Sequence, residues 1–370
     1  MLNSESGGRK VLDPAGIMAY TCSVFRSITG AGYVMIRIKY VHNGLISAKE
    51  HRLPPIELED CVFIQDASCR EYDWLVLYDD MPRSSIGSVV NEREELACPP
   101  EQTIFVTAEP PTIKIYPRVF TRQFGYVLTT HLLKYLPHPH HRIGKGCLHW
   151  QAGYPRSETL AMPDYPKTKQ FSTVCSTKQQ THTLHQARYR LTKYISEHMP
   201  EMDWYGWGVK RLQYKYDALN DYRYHLAVEN YINDYHWTDK ISDPILGLCL
   251  TFYAGDPRLG EVLPPECYIP IPLDDHEAAL RIMQEAIRNN EYEKRLPAIR
   301  EARRLLVTKY NMFNQVVDLI HEHNATHGAA PASTSPSVLL GRHRLRHNPL
   351  NIISENLELL RHKIGFKLGK

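Results

Sequence analysis

The feature that most constrains the fold is an alternation over residues 224–253. An apolar run, YHLAV, leads into a polar stretch. A helical pattern then covers residues 238–248, and a second apolar run, CLTFY, follows. Short apolar runs on either side of a helix-length segment read as strand, helix, strand. Such a unit closes as a parallel sheet with the helix packed on its face.

The same signature recurs upstream. Residues 33–40 (YVMIRIKY) alternate apolar and polar, and 61–64, 74–78, 104–107 and 124–129 are further strand-like runs. Residues 171–175 read as a strand, 181–198 as a helix with Leu184, Leu191 and Ile195 on one face, and 202–208 as a strand ending in a glycine turn. A Pro/His/Gly-rich stretch over 136–169 carries a domain boundary near 164–169. This predicts an α/β protein with an N-terminal domain over 1–165 and a C-terminal domain over 166–327. Two long helical stripes close the second domain, one from Ala279 to Ile287 and one from Ile299 to Ile320. The remaining region, 328–370, begins with a flexible linker, GAAPASTSPS. A basic tail follows, in which Leu350, Ile353, Leu357 and Leu360 line one helical face. That pattern suits the surface of an anionic membrane.

Composition excludes several classes. A chain of 370 residues with 43% hydrophobic and 23% charged residues is globular and long enough for two cores. A net charge of +3 gives no global field for nucleic acid. The eight cysteines are scattered without a C-x-x-C pair, which argues against a zinc ribbon or a disulfide framework and predicts a reducing compartment. No apolar run reaches membrane-spanning length, and the first residues lack a basic-then-apolar secretory pattern. The expected location is therefore cytoplasmic, peripheral on the inner face of a membrane.

The chemistry-bearing residues cluster in AVENYINDYHWTDK, where Glu229, Asn230, His236, Thr238, Asp239 and Lys240 lie between a strand and a helix. Thr238 can cap that helix, which places Lys240 in its first turn beside the free N–H groups. Upstream, His185 and Arg188 share one helical face, and an arginine can grip a phosphate bidentately. Glu109 follows a strand and precedes Pro110-Pro111, which fix its backbone. Burial would raise its pKa toward that of a general base. Three other features read as ordinary structure. The histidines of PHPHH, residues 137–141, are expected to be solvated, Asp79-Asp80 to form a loop, and Asp274-Asp275 to cap a helix.

The order Glu-Asn, a polar-aromatic stretch, Thr-Asp-Lys and a Gly-Asp-Pro turn resembles the donor-binding signature of the family 10 glycosyltransferases, the α-1,3/4-fucosyltransferases and their bacterial relatives. TLHQARYRL resembles that family's pyrophosphate-binding helix, and VTAEPPTIKIYPRVFTRQF its proposed base segment. The resemblance covers roughly residues 70–325. It implies a GT-B-like fold of two facing Rossmann-like domains. It also implies inverting transfer of fucose from GDP-fucose to a glycan or glycolipid hydroxyl, such as that of a lipopolysaccharide. In this reading Glu109 is the base. His185, Arg188, Glu229, Asn230, His236, Thr238, Asp239 and Lys240 form the donor site, with Lys215 and Tyr224 supporting it. No cofactor or metal is required, and a stimulatory divalent ion stays open. The family usually has Thr-Glu-Lys where this chain has Thr-Asp239-Lys, and often a tyrosine at His236. A related transferase using another nucleotide sugar and a non-catalytic glycan-binding scaffold are the alternatives.

Overall fold

The computed structural model describes residues 35–42, 56–85, 87–145, 164–181, 183–328 and 337–367. Most of the expected linker, the amino-terminal segment and much of the Pro/His/Gly stretch lie outside them. The described chain forms two α/β units. The first is built on β1 (Ile36–His42), β2 (Ile56–Leu58), β3 (Cys61–Ile64), β4 (Trp74–Tyr78), β6 (Thr103–Val106), β7 (Tyr126–Thr129) and β8 (His141–Ile143), with β5 (Arg93–Glu95) outside its sheet. The sheet order is β2-β3-β1-β4-β6-β7-β8, parallel except for the β2–β3 pair. The second unit holds β9 (Lys169–Val174), β10 (Met202–Tyr205), β11 (Tyr222–Val228), β12 (Leu250–Ala254) and β13 (Tyr268–Pro270), all parallel, in the order β10-β9-β11-β12-β13.

Both sheets reverse direction of winding part-way across. In the first, the chain runs outward from β1 through β3 and then crosses back to β4. In the second it runs from β9 to β10 and then back to β11. Ligands of open α/β sheets sit outside the carboxyl ends of the strands at such a reversal. Here those ends are His42 and Tyr78 in one unit, and Val174 and Val228 in the other.

The strands are near-continuous apolar runs because both of their faces are covered. In the second unit, Phe171, Leu226 and Phe252 pack with Leu191 and Ile195 of α2 (His185–His198) and with Ile241 and Ile245 of α3 (Asp239–Leu246). The helices α4 (His276–Arg288) and α5 (Glu291–Thr308) complete that core through Met283, Ile299 and Leu306. The stripe expected as one run over 299–320 is two helices. The second, α6 (Met312–His327), packs on the first sheet. Its Phe313, Val316, Val317 and Ile320 share one helical face, and the Phe313 ring stands edge-on to Phe63 and Tyr40, at 4.9 and 5.7 Å. The chain therefore returns to the N-terminal unit after Thr308.

The tail is tied to the body. β14 (Val338–Leu340) pairs antiparallel with β5. Between α7 (Arg342–Leu345) and α8 (Pro349–Lys367), Arg342 reaches the buried Glu355 at 2.6 Å. Glu358 accepts from the Arg118 N–H that opens α1 (Arg118–Thr121). The expected apolar face of α8 is nevertheless open to solvent, with Leu350 70% and Leu360 55% exposed. Among the described residues, no helix is long and apolar enough to cross a membrane.

Cys61, Cys98, Cys175, Cys249 and Cys267 are free and buried. Cys69 is disulfide-bonded. The bond at Cys69 is an exception to the expected reduced thiols, which hold at the other five described cysteines.

Candidate functional site

The two units meet over a cavity of about 200 Å³. The N-terminal unit contributes Tyr78, Ala108, Glu109 and Pro110. The C-terminal unit contributes Glu229, Asn230, His236, Thr238, Asp239 and Lys240. A second cavity of about 300 Å³ adjoins it, sharing Asp239 and Lys240 and adding Val174, Arg188, Lys215 and Val228. Both lie where the topology directs them, the first beyond the carboxyl ends of β4, β6 and β11 and the second at those of β9 and β11.

The motif residues divide into those that face the cavities and those that hold the loop in place. Glu229 is fully buried. Its carboxylate accepts from the Thr238 N–H at 3.0 Å, from the Thr238 hydroxyl at 2.9 Å and from the Tyr253 hydroxyl at 3.3 Å. It ties the end of β11 to the start of α3. Tyr253 reaches it because residue 255 is glycine: a Cβ there would stand 2.1 Å from the Tyr253 ring. Thr238 caps α3, its oxygen accepting from the Lys240 N–H at 3.2 Å. The Lys240 ammonium sits 3.5 Å from Glu229 and 3.8 Å from Asp239, with about a fifth of its side chain exposed to the cavities.

Asp239 is engaged on its other side by Lys215, at 2.6 Å, and Lys215 also bridges to the buried Asp243 at 2.7 Å. Burial alone would raise the Asp239 carboxyl. The charges of Lys215 and then Lys240 outweigh burial and hold it well below the usual carboxylate range. The Arg188 guanidinium donates to the Asn230 side-chain oxygen at 2.7 Å and to the Val174 carbonyl at 3.2 Å. A guanidinium has five N–H groups, so further donors remain for an anion in the cavity that Arg188 lines. His185 is bonded to Thr183 at the start of α2 and lines neither cavity. His236 is buried and meets Thr130 of the other unit at 3.0 Å. Burial, and secondarily Lys240, push its imidazole down to about 3, so it is neutral.

Across the cavity, Glu109 is fixed through its backbone. The Tyr116 hydroxyl accepts from the Ala108 and Glu109 N–H groups, at 3.1 and 3.3 Å, and donates to Asp79 at 2.6 Å. His131 bonds the Glu109 carbonyl at 2.7 Å. The Glu109 side chain stays accessible to the cleft. Partial desolvation, and then the Asp79 charge, raise its carboxyl above the ordinary value against the pull of Lys240 and Lys114.

Tyr116, His131, Thr130 and Asp79 were not singled out as site residues. Asp79 follows the switch-point strand β4 with a left-handed backbone, at φ 68°. Its position at a strand's carboxyl end was the available signal. Asp79 carries more than a loop's duties, since it also pairs with Lys114 at 2.8 Å. The PHPHH histidines are partly solvated, His140 exposed and His138 and His141 half-buried, and each also makes a hydrogen bond to the body. His138, His140 and His141 bond the carbonyls of Phe124, Gly125 and His131. Asp275 caps α4 as expected, accepting from Ala278 N–H at 2.9 Å. Among the described residues, Asp60, Cys61 and His321 bring three ligand atoms within 4.8 Å of one another. They lie at the amino-terminal end of β3, the edge opposite the cleft.

No family model matches the chain, and no curated protein matches it. Among solved structures, the chain is similar to an α1,3-fucosyltransferase with GDP-fucose, at 14% identity and a TM-score of 0.43, covering 71% of this chain and 81% of that one. It is similar to a sucrose-phosphate synthase from Thermosynechococcus elongatus, at 9% identity and 0.39, covering 80% and 100%. It is also similar to a GtfA/B complex, at 9% identity and 0.35, covering 70% and 59%.

Proposed function

We propose that this chain is an inverting glycosyltransferase that moves fucose from GDP-fucose to a glycan hydroxyl. The observation that carries the proposal is the placement of Glu109 opposite Lys240 across one small cavity between two switch-point crevices. The acceptor hydroxyl oxygen attacks the anomeric carbon from the Glu109 side and gives its proton to that carboxylate. The bond from the anomeric carbon to the phosphate oxygen breaks, and GDP leaves with the electron pair. Arg188 and Lys240 offer charge and donors to the departing pyrophosphate, where charge develops. Asn230 orients the arginine. Glu229 and Thr238 hold Lys240 and the α3 terminus, and His236 braces the cleft as a neutral group. His185 takes no part in this geometry.

The commitment of Asp239 to Lys215 weakens its case as a direct donor contact and favours testing other donors beside GDP-fucose. Calorimetry against GDP, UDP and CMP and their sugars, on wild type and Lys240→Ala, makes that comparison. Tight GDP-fucose binding lost in the variant supports the proposal. Preference for UDP or CMP keeps the transferase reading and replaces the donor. No nucleotide binding favours a scaffold. Lys240 also faces the buried Glu229, so the melting temperature is read on the same samples.

The exposed stripe Leu350, Ile353, Leu357, Leu360 and Ile364 on a basic helix supports docking on an anionic membrane. Pelleting with phosphatidylglycerol vesicles should fall for Leu357→Glu plus Leu360→Glu. Unchanged pelleting removes the membrane from the reading.

A further inference from the structure

A third cavity, about 350 Å³, lies between the tail and the N-terminal unit. Its walls include Tyr116, Arg118, Lys134, Tyr135, Arg361 and His362. Arg118, Lys134 and Arg361 are exposed cations, and no acidic side chain pairs with any of them among the described residues. Glu358 also lines the groove, but its carboxylate is turned to the Arg118 backbone N–H. Three cations against the single Glu358 carboxylate leave the groove net positive, which favours a further anion.

The groove is separated from Glu109 by one side chain. The Tyr116 ring lines it, while the hydroxyl of the same residue receives the Glu109 N–H. On its other flank Tyr135 contacts Tyr231, whose ring stands 5.3 Å from His236. The wall that holds the catalytic cleft is thus also the wall of the groove. The half-buried Tyr135 ring beside converging cations suits a sugar ring that carries a negative charge, since the sugar packs on an aromatic face and the charge meets the cations.

We propose that this groove is an acceptor subsite selecting an acidic saccharide, one with a phosphate or carboxylate on the residue next to the hydroxyl that is glycosylated. The proposal rests on the transferase reading above, and it makes α8 part of the acceptor site. The tail is then needed for recognising the acceptor as well as for any docking.

The test is calorimetric titration of the full chain, saturated with GDP so that the donor cavities are closed to added anions. The probes are glucose, glucuronate, glucose 1-phosphate and inorganic phosphate. The expected result is that glucose 1-phosphate, glucuronate or both bind at least tenfold more tightly than glucose. The advantage should vanish in Lys134→Ala and Arg361→Ala, with GDP affinity unchanged. An advantage confined to one anionic sugar identifies phosphate or carboxylate as the group recognised. Equal binding of all three sugars, no binding of any, or an advantage that survives both variants overturns the proposal. So does inorganic phosphate binding as tightly as glucose 1-phosphate, which marks an adventitious anion only. GDP binding in the same samples reports the transferase reading separately.

Discussion

Glu229 is where the cleft's structure can be separated from its ligand chemistry. Two substitutions do this. Glu229→Ala leaves the Thr238 N–H and the Tyr253 hydroxyl as buried donors without an acceptor, at about 1–3 kcal/mol each. It also strips Lys240 of a carboxylate 3.5 Å away. At an effective dielectric of about 20 that attraction is roughly 5 kcal/mol, much of it offset by desolvation. The expected loss is on the order of 3–5 kcal/mol, enough to unfold a marginal domain. Glu229→Gln keeps one acceptor oxygen for the Thr238 N–H and the Tyr253 hydroxyl but turns the other position into an NH2 donor beside Lys240, so a loss of about 1–2 kcal/mol is expected. Urea unfolding measures both. The Gln variant also leaves Lys240 less neutralised, so its affinity for GDP should hold or rise. If Glu229 instead touches the donor directly, Glu229→Gln loses GDP affinity tenfold or more with an unchanged melting temperature. That result would refute the assignment of Glu229 as a brace.

Glu109→Gln should lower turnover about a hundredfold or more with GDP-fucose affinity intact, as stopped assays and calorimetry would show; unchanged turnover removes the base. The Glu109 carboxyl is raised and must be ionised to act, so activity should fall as pH drops through a value above the ordinary carboxylate range. Asp79→Asn removes a charge that contributes to that rise and should move the acid limb to lower pH. His236 is held near 3 when folded and titrates near 6.5 unfolded, so its stabilisation is complete above about 6.5 and is lost as pH falls below it. Between pH 7.5 and 5.5, wild type should lose about 1.4 kcal/mol more than His236→Asn in urea unfolding; identical slopes would show a solvated imidazole. Phe313→Ala, edge-on to Phe63 and Tyr40, should cost about 3–5 kcal/mol; a loss under about 1 kcal/mol would mean that α6 is not core to the first sheet.

The strands were legible because parallel strands buried on both faces leave uninterrupted apolar runs. CVFI and WLVLY are β3 and β4 to the residue. The α3 cap was legible because capping needs only a hydroxyl at the right offset, and Thr238 has it. Two kinds of information were missing. Pairings distant in sequence leave no local trace: the 217-residue separation of Gln123 and Leu340, which exchange two hydrogen bonds, is invisible to any periodicity. The return of α6 to the first sheet is of the same kind, since its stripe fits either core equally well.

The other missing information is the direction in which a polar side chain points. Glu229, Asp239 and Lys240 stand within twelve residues, and the spacing alone makes all three plausible ligands for a donor. Their neighbours separate them. Glu229 is consumed by Thr238 and Tyr253, and Asp239 by Lys215. Lys240 is held between the two carboxylates with its ammonium still open to both cavities. One buried acid and one half-buried acid beside one cation temper its charge, so an anion entering the cleft meets a lysine that is positioned but only partly compensated. Arg188 is in the complementary state, with two N–H donors spent on Asn230 and Val174 and the others unspent. Affinity for a diphosphate should therefore depend more on Arg188 than on Lys240. Arg188→Ala also leaves no buried carboxylate without its counter-ion. If calorimetry shows that Arg188→Ala weakens GDP binding less than Lys240→Gln does, the division of charge in this cleft runs opposite to what its contacts require.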